Sequence, residues 1–273
     1  MFGYVAEFND HYIKLLEMAE YEESSNERDI AFEYQSDHHD DLQRLKQKYD
    51  LEQVAGDGDE LSQILNLMRW VDGRLQHGDV MPPQPCHALH VLDLVERESI
   101  PMNCYTIATV LNEVYLSMGF YARRVHCRSY DAYDGDSHVI TLIFSRTLKK
   151  WLYMDASWNT FVTDDQGELL SLEEFRYRLS HHLPVWVNGD PSVSEWSTFY
   201  LGYMAKNLFW FMSPLQSEYD YEASRLHKTY CALFPAHFEP IDLRSDPPEN
   251  ISVCIRRHPN HFWTHPTCNT VNS

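Results

Sequence analysis

"NCYTIATVLNEVYLSMGF", residues 103–120, decides how the rest of the chain is read. Asn103 is a strong N-cap residue, and Ile107, Val110, Leu111, Val114 and Met118 recur at helical spacing until Gly119, placed where a C-terminal glycine belongs. The pattern predicts a helix whose first turn carries Cys104 and whose apolar face enters the core. A thiol there gains from the helix dipole and from N–H groups without intrahelical partners, both of which favour the thiolate. Packing alone also places cysteines on amphipathic helices, so the helix start is one ingredient of a nucleophile and not a proof.

Working outward, "YARRVHCRSY" has strand character, and "SHVITLIF" and "KWLYMDASW" read as an antiparallel hairpin joined by "SRTLKK". His138 opens the first of those strands and Asp155 lies near the end of the second. A turn around Arg146–Thr147 places the two directly opposite each other, where side chains share a face. A carboxylate that orients an imidazole, with a helix-start thiol nearby, is the nucleophile–base–orienter arrangement of covalent catalysis.

Upstream, "DDLQRLKQKYDLEQVAG" is helical with a stop at Gly56. Leu61, Ile64, Leu65, Met68 and Val71 mark the buried face of the next helix, "MPPQPC" is a connector, and "HALHVLDLVERES" is a short helix. Residues 1–30 read as an amphipathic or strand-like lead-in. Downstream, "LEEFRYRLSH" is helical, "TFYLGYMAKNLFWFM" reads as one aromatic helix, and the tail from Ser252 reads as irregular with a possible strand.

Bulk properties limit the function classes. The 273 residues are 44% hydrophobic and 14% aromatic, enough for a sizeable core, and the net charge of −19 disfavours nucleic acid and anionic membrane as partners. The six cysteines (86, 104, 127, 231, 254 and 268) include no CxxC pair, which fits a reducing compartment. The first 25 residues lack a basic region followed by an apolar one, and no run of about 18 apolar residues occurs. A cytoplasmic location is the expectation.

Taken together, "NCYTIATVLNEVYLSMGFYARRV", "DSHVITLIF" and "KWLYMDASWN" resemble the transglutaminase-like superfamily, in a bacterial-type version whose substrate the sequence does not specify. The resemblance spans residues 60–160 and implies an α+β, papain-like Cys-His-Asp core with N-terminal helices packed on an antiparallel sheet. It makes Cys104 the nucleophile, His138 the base and Asp155 the orienter. The expected organisation is a helical lead-in (1–55), the catalytic core (56–190) and a helical, aromatic C-terminal extension (191–273). The implied chemistry is attack on an amide carbonyl of a peptide, protein or small amide, through a thioester resolved by water or an amine. Protease- or amidase-type hydrolysis is favoured over cross-linking. Arylamine N-acetyltransferase-like transfer and a non-catalytic binding module are the alternatives.

The Cys104 backbone N–H would hold the oxyanion with a second donor, for which Trp70, Gln76 and Asn103 are the upstream candidates. No cofactor or metal is expected. Asp131, Asp134 and Asp136 around Gly135 lack the later glutamate of a calcium loop, although the loop leads to His138 and could line the site. His258, His261 and His265 are broken up by prolines and lack further ligands at usual intervals. Cys86 and Cys127 are read as packing residues, and the stripe Phe199, Tyr203, Leu208 and Phe211 as core.

Overall fold

The computed structural model describes residues 9–25, 30–131, 134–238 and 250–266. Cys268 and parts of the lead-in, the Asp131–Asp134 loop and the tail lie outside these. The helices are α1 (Asn9–Met18), α2 (Asp40–Lys48), α3 (Leu51–Ala55), α4 (Glu60–Arg74), α5 (Ala88–Glu98), α6 (Cys104–Ser117), α7 (Leu172–Ser180), α8 (Glu195–Asn207) and α9 (Tyr221–Ser224). The strands are β1 (Glu33–Tyr34), β2 (Ala122–Arg128), β3 (His138–Ser145), β4 (Lys150–Met154), β5 (Val162–Thr163), β6 (Trp186–Val187), β7 (Trp210–Pro214), β8 (Gln216–Ser217), β9 (Lys228–Leu233) and β10 (Ile251–Arg256). The class is α+β. Among the described residues no helix is long and apolar enough to cross a membrane.

One six-stranded sheet, in the order β10-β9-β7-β2-β3-β4, carries the molecule. A core on one face packs α2 to α6 against Ala122, Ile143, Leu152 and Met154. The opposite core packs α1, α7 and α8 against Val125, Ile140, Leu142 and Tyr153. Because α6 lies between the sheet and the other helices, it is buried nearly all round, including Thr106, Asn112 and Glu113. Its end closes as the spacing predicts. Gly119 has φ +77°, Phe120 N donates to Tyr115 O and Gly119 N to Leu116 O, with the Tyr115 and Phe120 rings in contact.

Part of the lead-in is a helix, α1, whose Leu16 is buried. Three expectations need correction. The stretch after α8 is not helical: Asn207 ends the helix and Trp210–Pro214 is a strand, so Phe211 lies on β7 and not on the aromatic helix. Aromatic side chains suit a helix face and a sheet face alike, which is why the period misled. The C-terminal segment adds three strands to the sheet, and β10 pairs parallel to β9, so the sheet is mixed and not purely antiparallel.

The hairpin register also differs. Thr141 pairs with Met154 and Ser145 with Lys150, so Asp155 is a diagonal neighbour of His138 and not its direct partner. The cause is a longer turn, Arg146–Lys149, with Lys149 at φ +53°. The Glu60 carboxylate holds that turn by accepting from Arg146 N, Thr147 N and Ser145 Oγ at 2.9, 2.9 and 2.7 Å. The slip is an even number of residues, so His138 and Asp155 still share a face.

Candidate active site

The Cys104 position is built by α6. Asn103 is the N-cap (φ −77°, ψ 166°), and its Oδ1 accepts from Thr106 N at 2.9 Å and Thr106 Oγ1 at 2.8 Å. Cys104 is therefore the first helical residue, whose N–H has no intrahelical acceptor. Cys104 is partly buried, and its sulfur lies 3.8 Å from Ser137 O, at the end of the sheet where β3 begins.

His138 and Asp155, each 1% exposed, come from the other face of the sheet. His138 Nε2 and Asp155 Oδ2 are 2.7 Å apart. That leaves Nδ1 as the ring nitrogen available to the thiol. Asp155 is held from three sides: Oδ1 accepts from Ser157 N at 3.0 Å, and Oδ2 also accepts from Tyr200 Oη at 2.8 Å. Tyr200 is in turn hydrogen-bonded to Tyr153. The imidazole plane is set by Trp158, stacked at 4.9 Å and 16°, and by Tyr203, edge-on at 5.5 Å.

Electrostatics follow from these contacts. Burial pushes the Cys104 thiol up, but hydrogen bonds from His138 and His77 and the charge on His138 outweigh it, leaving the thiol lowered to about 6. Burial works against the His138 cation, yet Asp155 and the sulfur raise it to about 10. Asp155 stays below the usual carboxylate range, because His138 and its hydrogen-bond donors overcome burial. The arrangement can hold a thiolate beside an imidazolium near neutrality. The rival thiols behave oppositely: burial raises Cys86, and burial with the Asp155 charge raises Cys127 well above its ordinary value.

Of the upstream candidates for an oxyanion donor, Trp70 packs on Tyr49 and Arg74 and Asn103 is occupied as a cap, while Gln76 contributes its backbone carbonyl to Met102 N. The neighbouring His77 contributes to lowering the Cys104 thiol, and its ring packs on Trp158. Sequence reasoning missed it, along with Trp158 as the stacking surface and Tyr200 as the clamp on Asp155. A His beside the candidate Gln76 was visible, but only a backbone pairing far along the chain gives it meaning.

Two carboxylates of the acidic loop share one cation from α8. Lys206 Nζ bonds Asp134 Oδ2 and Asp136 Oδ2, both at 2.7 Å, and Tyr203 Oη donates to Asp136 Oδ1 at 3.3 Å. The loop leading to His138 is thus pinned to α8. In the tail, His258 Nδ1 accepts from Asn260 N and His265 packs on Phe144. Among the described residues no group of His, Cys, Asp and Glu could hold a metal ion.

No family model and no curated protein matches the chain. Among solved structures, one that is similar in part is named "a Putative Cysteine Protease from Cytophaga hutchinsonii". It is 17% identical, with a TM-score of 0.35, and the likeness covers 46% of this chain and 40% of that one. The chain thus matches less than half of that structure's length, and a likeness this slight says nothing about chemistry.

Proposed function

We propose that the chain is a cysteine enzyme of transglutaminase-like type, with its catalytic core in residues 56–190, that cleaves an amide or peptide bond through a thioester on Cys104. The observation that carries the reading is the convergence on one sulfur of a capped helix start and an imidazole locked to a triply held carboxylate. The Cys104 thiolate attacks the carbonyl carbon. His138 gives its Nδ1 proton to the departing amine, and Asp155 keeps the ring in the productive orientation. Water, deprotonated by the now neutral His138, then hydrolyses the thioester.

Ammonia release from a library of carboxamide peptides and amine release from peptide bonds test this, each with and without an added primary amine. The expected result is release that is unaffected by the added amine and lost in Cys104→Ala. Release that survives Cys104→Ala would overturn the assignment, and incorporation of the added amine would replace hydrolysis by transfer.

A further inference from the structure

Two imidazoles approach Cys104, and the triad uses one of them. The second, His77, belongs to the segment joining α4 to α5, yet its backbone is bridged to Met102, two residues before the nucleophile. Met102 N donates to Gln76 O at 2.8 Å and Gly78 N to Met102 O at 2.9 Å. The approach is close enough to require glycine: a Cβ on Gly78 would stand 2.7 Å from Pro101 Cβ. The ring of His77 packs on Trp158 at 4.9 Å, the same distance at which that indole meets His138. One indole therefore orients both histidines, and His77 joins His138 in lowering the Cys104 thiol.

We infer that His77 is the second donor of the oxyanion hole, an assignment that rests on the thioester reading above. As the C–S bond forms, the carbonyl π pair moves onto the oxygen, which is attached to the carbon now bound to sulfur. A side chain bridged through its backbone to Met102, and packed with His138 on one indole, lies beside the place where that oxyanion develops. The Cys104 N–H is the first donor, and the second must come from outside the helix. An imidazole carries at least one N–H in either protonation state. His77 keeps its proton throughout. The oxyanion pair returns to the carbonyl, the bond to the leaving group breaks, and His138 alone supplies a proton to a departing amine. His138 cannot do both, because Nε2 is on Asp155 and Nδ1 is committed to proton transfer.

Two reactions of the intact chain separate the role from others. Acylation by p-nitrophenyl acetate passes through an oxyanion, whereas alkylation by iodoacetamide does not. Each is compared at its high-pH plateau, where the thiol is ionised. In His77→Ala the acylation plateau is expected to fall about 100-fold and the alkylation plateau less than about threefold. His77→Gln keeps a side-chain N–H and is expected to recover about tenfold of the loss; a melting temperature near wild type excludes a folding cause. An equal fall in both reactions, or unchanged acylation, would overturn the assignment while leaving the thioester reading intact. A wild-type chain that acylates no faster than Cys104→Ser would overturn that reading, and this assignment with it.

Discussion

Cys127 and Cys104 both lie beside His138, and their surroundings drive them in opposite directions. Cys127 is the cross-strand partner of His138, in the dry interior of the sheet, with the Asp155 charge nearby. Burial and like charge hold it as a neutral thiol. Cys104, at the start of α6, is also largely shielded, yet it meets two imidazoles and the open end of a helix. The same side chain is raised in one place and lowered in the other because of what donates to it, not because of how deeply it lies.

The largest way to break that contrast is His138→Ala. With the thiol at about 6, half is ionised at pH 6; returned to the ordinary cysteine range, about one part in several hundred is. Iodoacetamide labelling of Cys104 at pH 6 should slow about 100-fold or more by the same relation, as read by peptide mapping.

Asp155→Asn comes next. It removes the charge that sustains the imidazolium but leaves the ring's neighbours in place, so the midpoint of the labelling profile should rise by about 1–2 pH units. The other limb moves in the opposite sense. A raised imidazole pKa means the proton is present below about 10 and lost above it, so amide cleavage in the wild type should fall as pH rises through about 10. In Asp155→Asn that fall should shift toward the ordinary histidine range.

Tyr200→Phe tests the outer support. Asp155 keeps His138 and Ser157 N as partners, so the labelling midpoint should rise by less than about half a pH unit, while stability drops by about 1 kcal/mol for one buried hydrogen bond, read by denaturant titration. The smallest effect on the contrast should come from Gly119→Ala at the far end of α6. Its positive φ costs a side chain about 1 kcal/mol of stability, and the labelling profile should not move.

What could be read from the sequence was what is local. Asn103 capping, the Cys104 position, the Gly119 stop, the strand that His138 opens and the strand that ends just before Asp155 are set by neighbours within a few residues. The hairpin register was off by an even number because the turn is shaped by Glu60, 85 residues before Ser145 in the chain. His77 and Tyr200 were not legible as site residues, since each reaches the site through packing between distant segments, and Trp158, three residues after Asp155, meets the His138 ring only across the hairpin. The sheet's C-terminal half was hidden for a different reason: "NLFWFM" satisfies helical and strand patterns equally, and pairing with β2 and β9 decides between them.

The most direct measurement is competitive alkylation of the native wild-type chain by substoichiometric iodoacetamide at pH 6, with the labelled cysteines located by mass spectrometry. The expected result is Cys104 labelled far ahead of Cys86, Cys127, Cys231 and Cys254, with a rate that falls below pH 6 and levels off above about 7. Labelling of Cys104 no faster than Cys127 would contradict the thiolate–imidazolium pair on which the proposed chemistry depends.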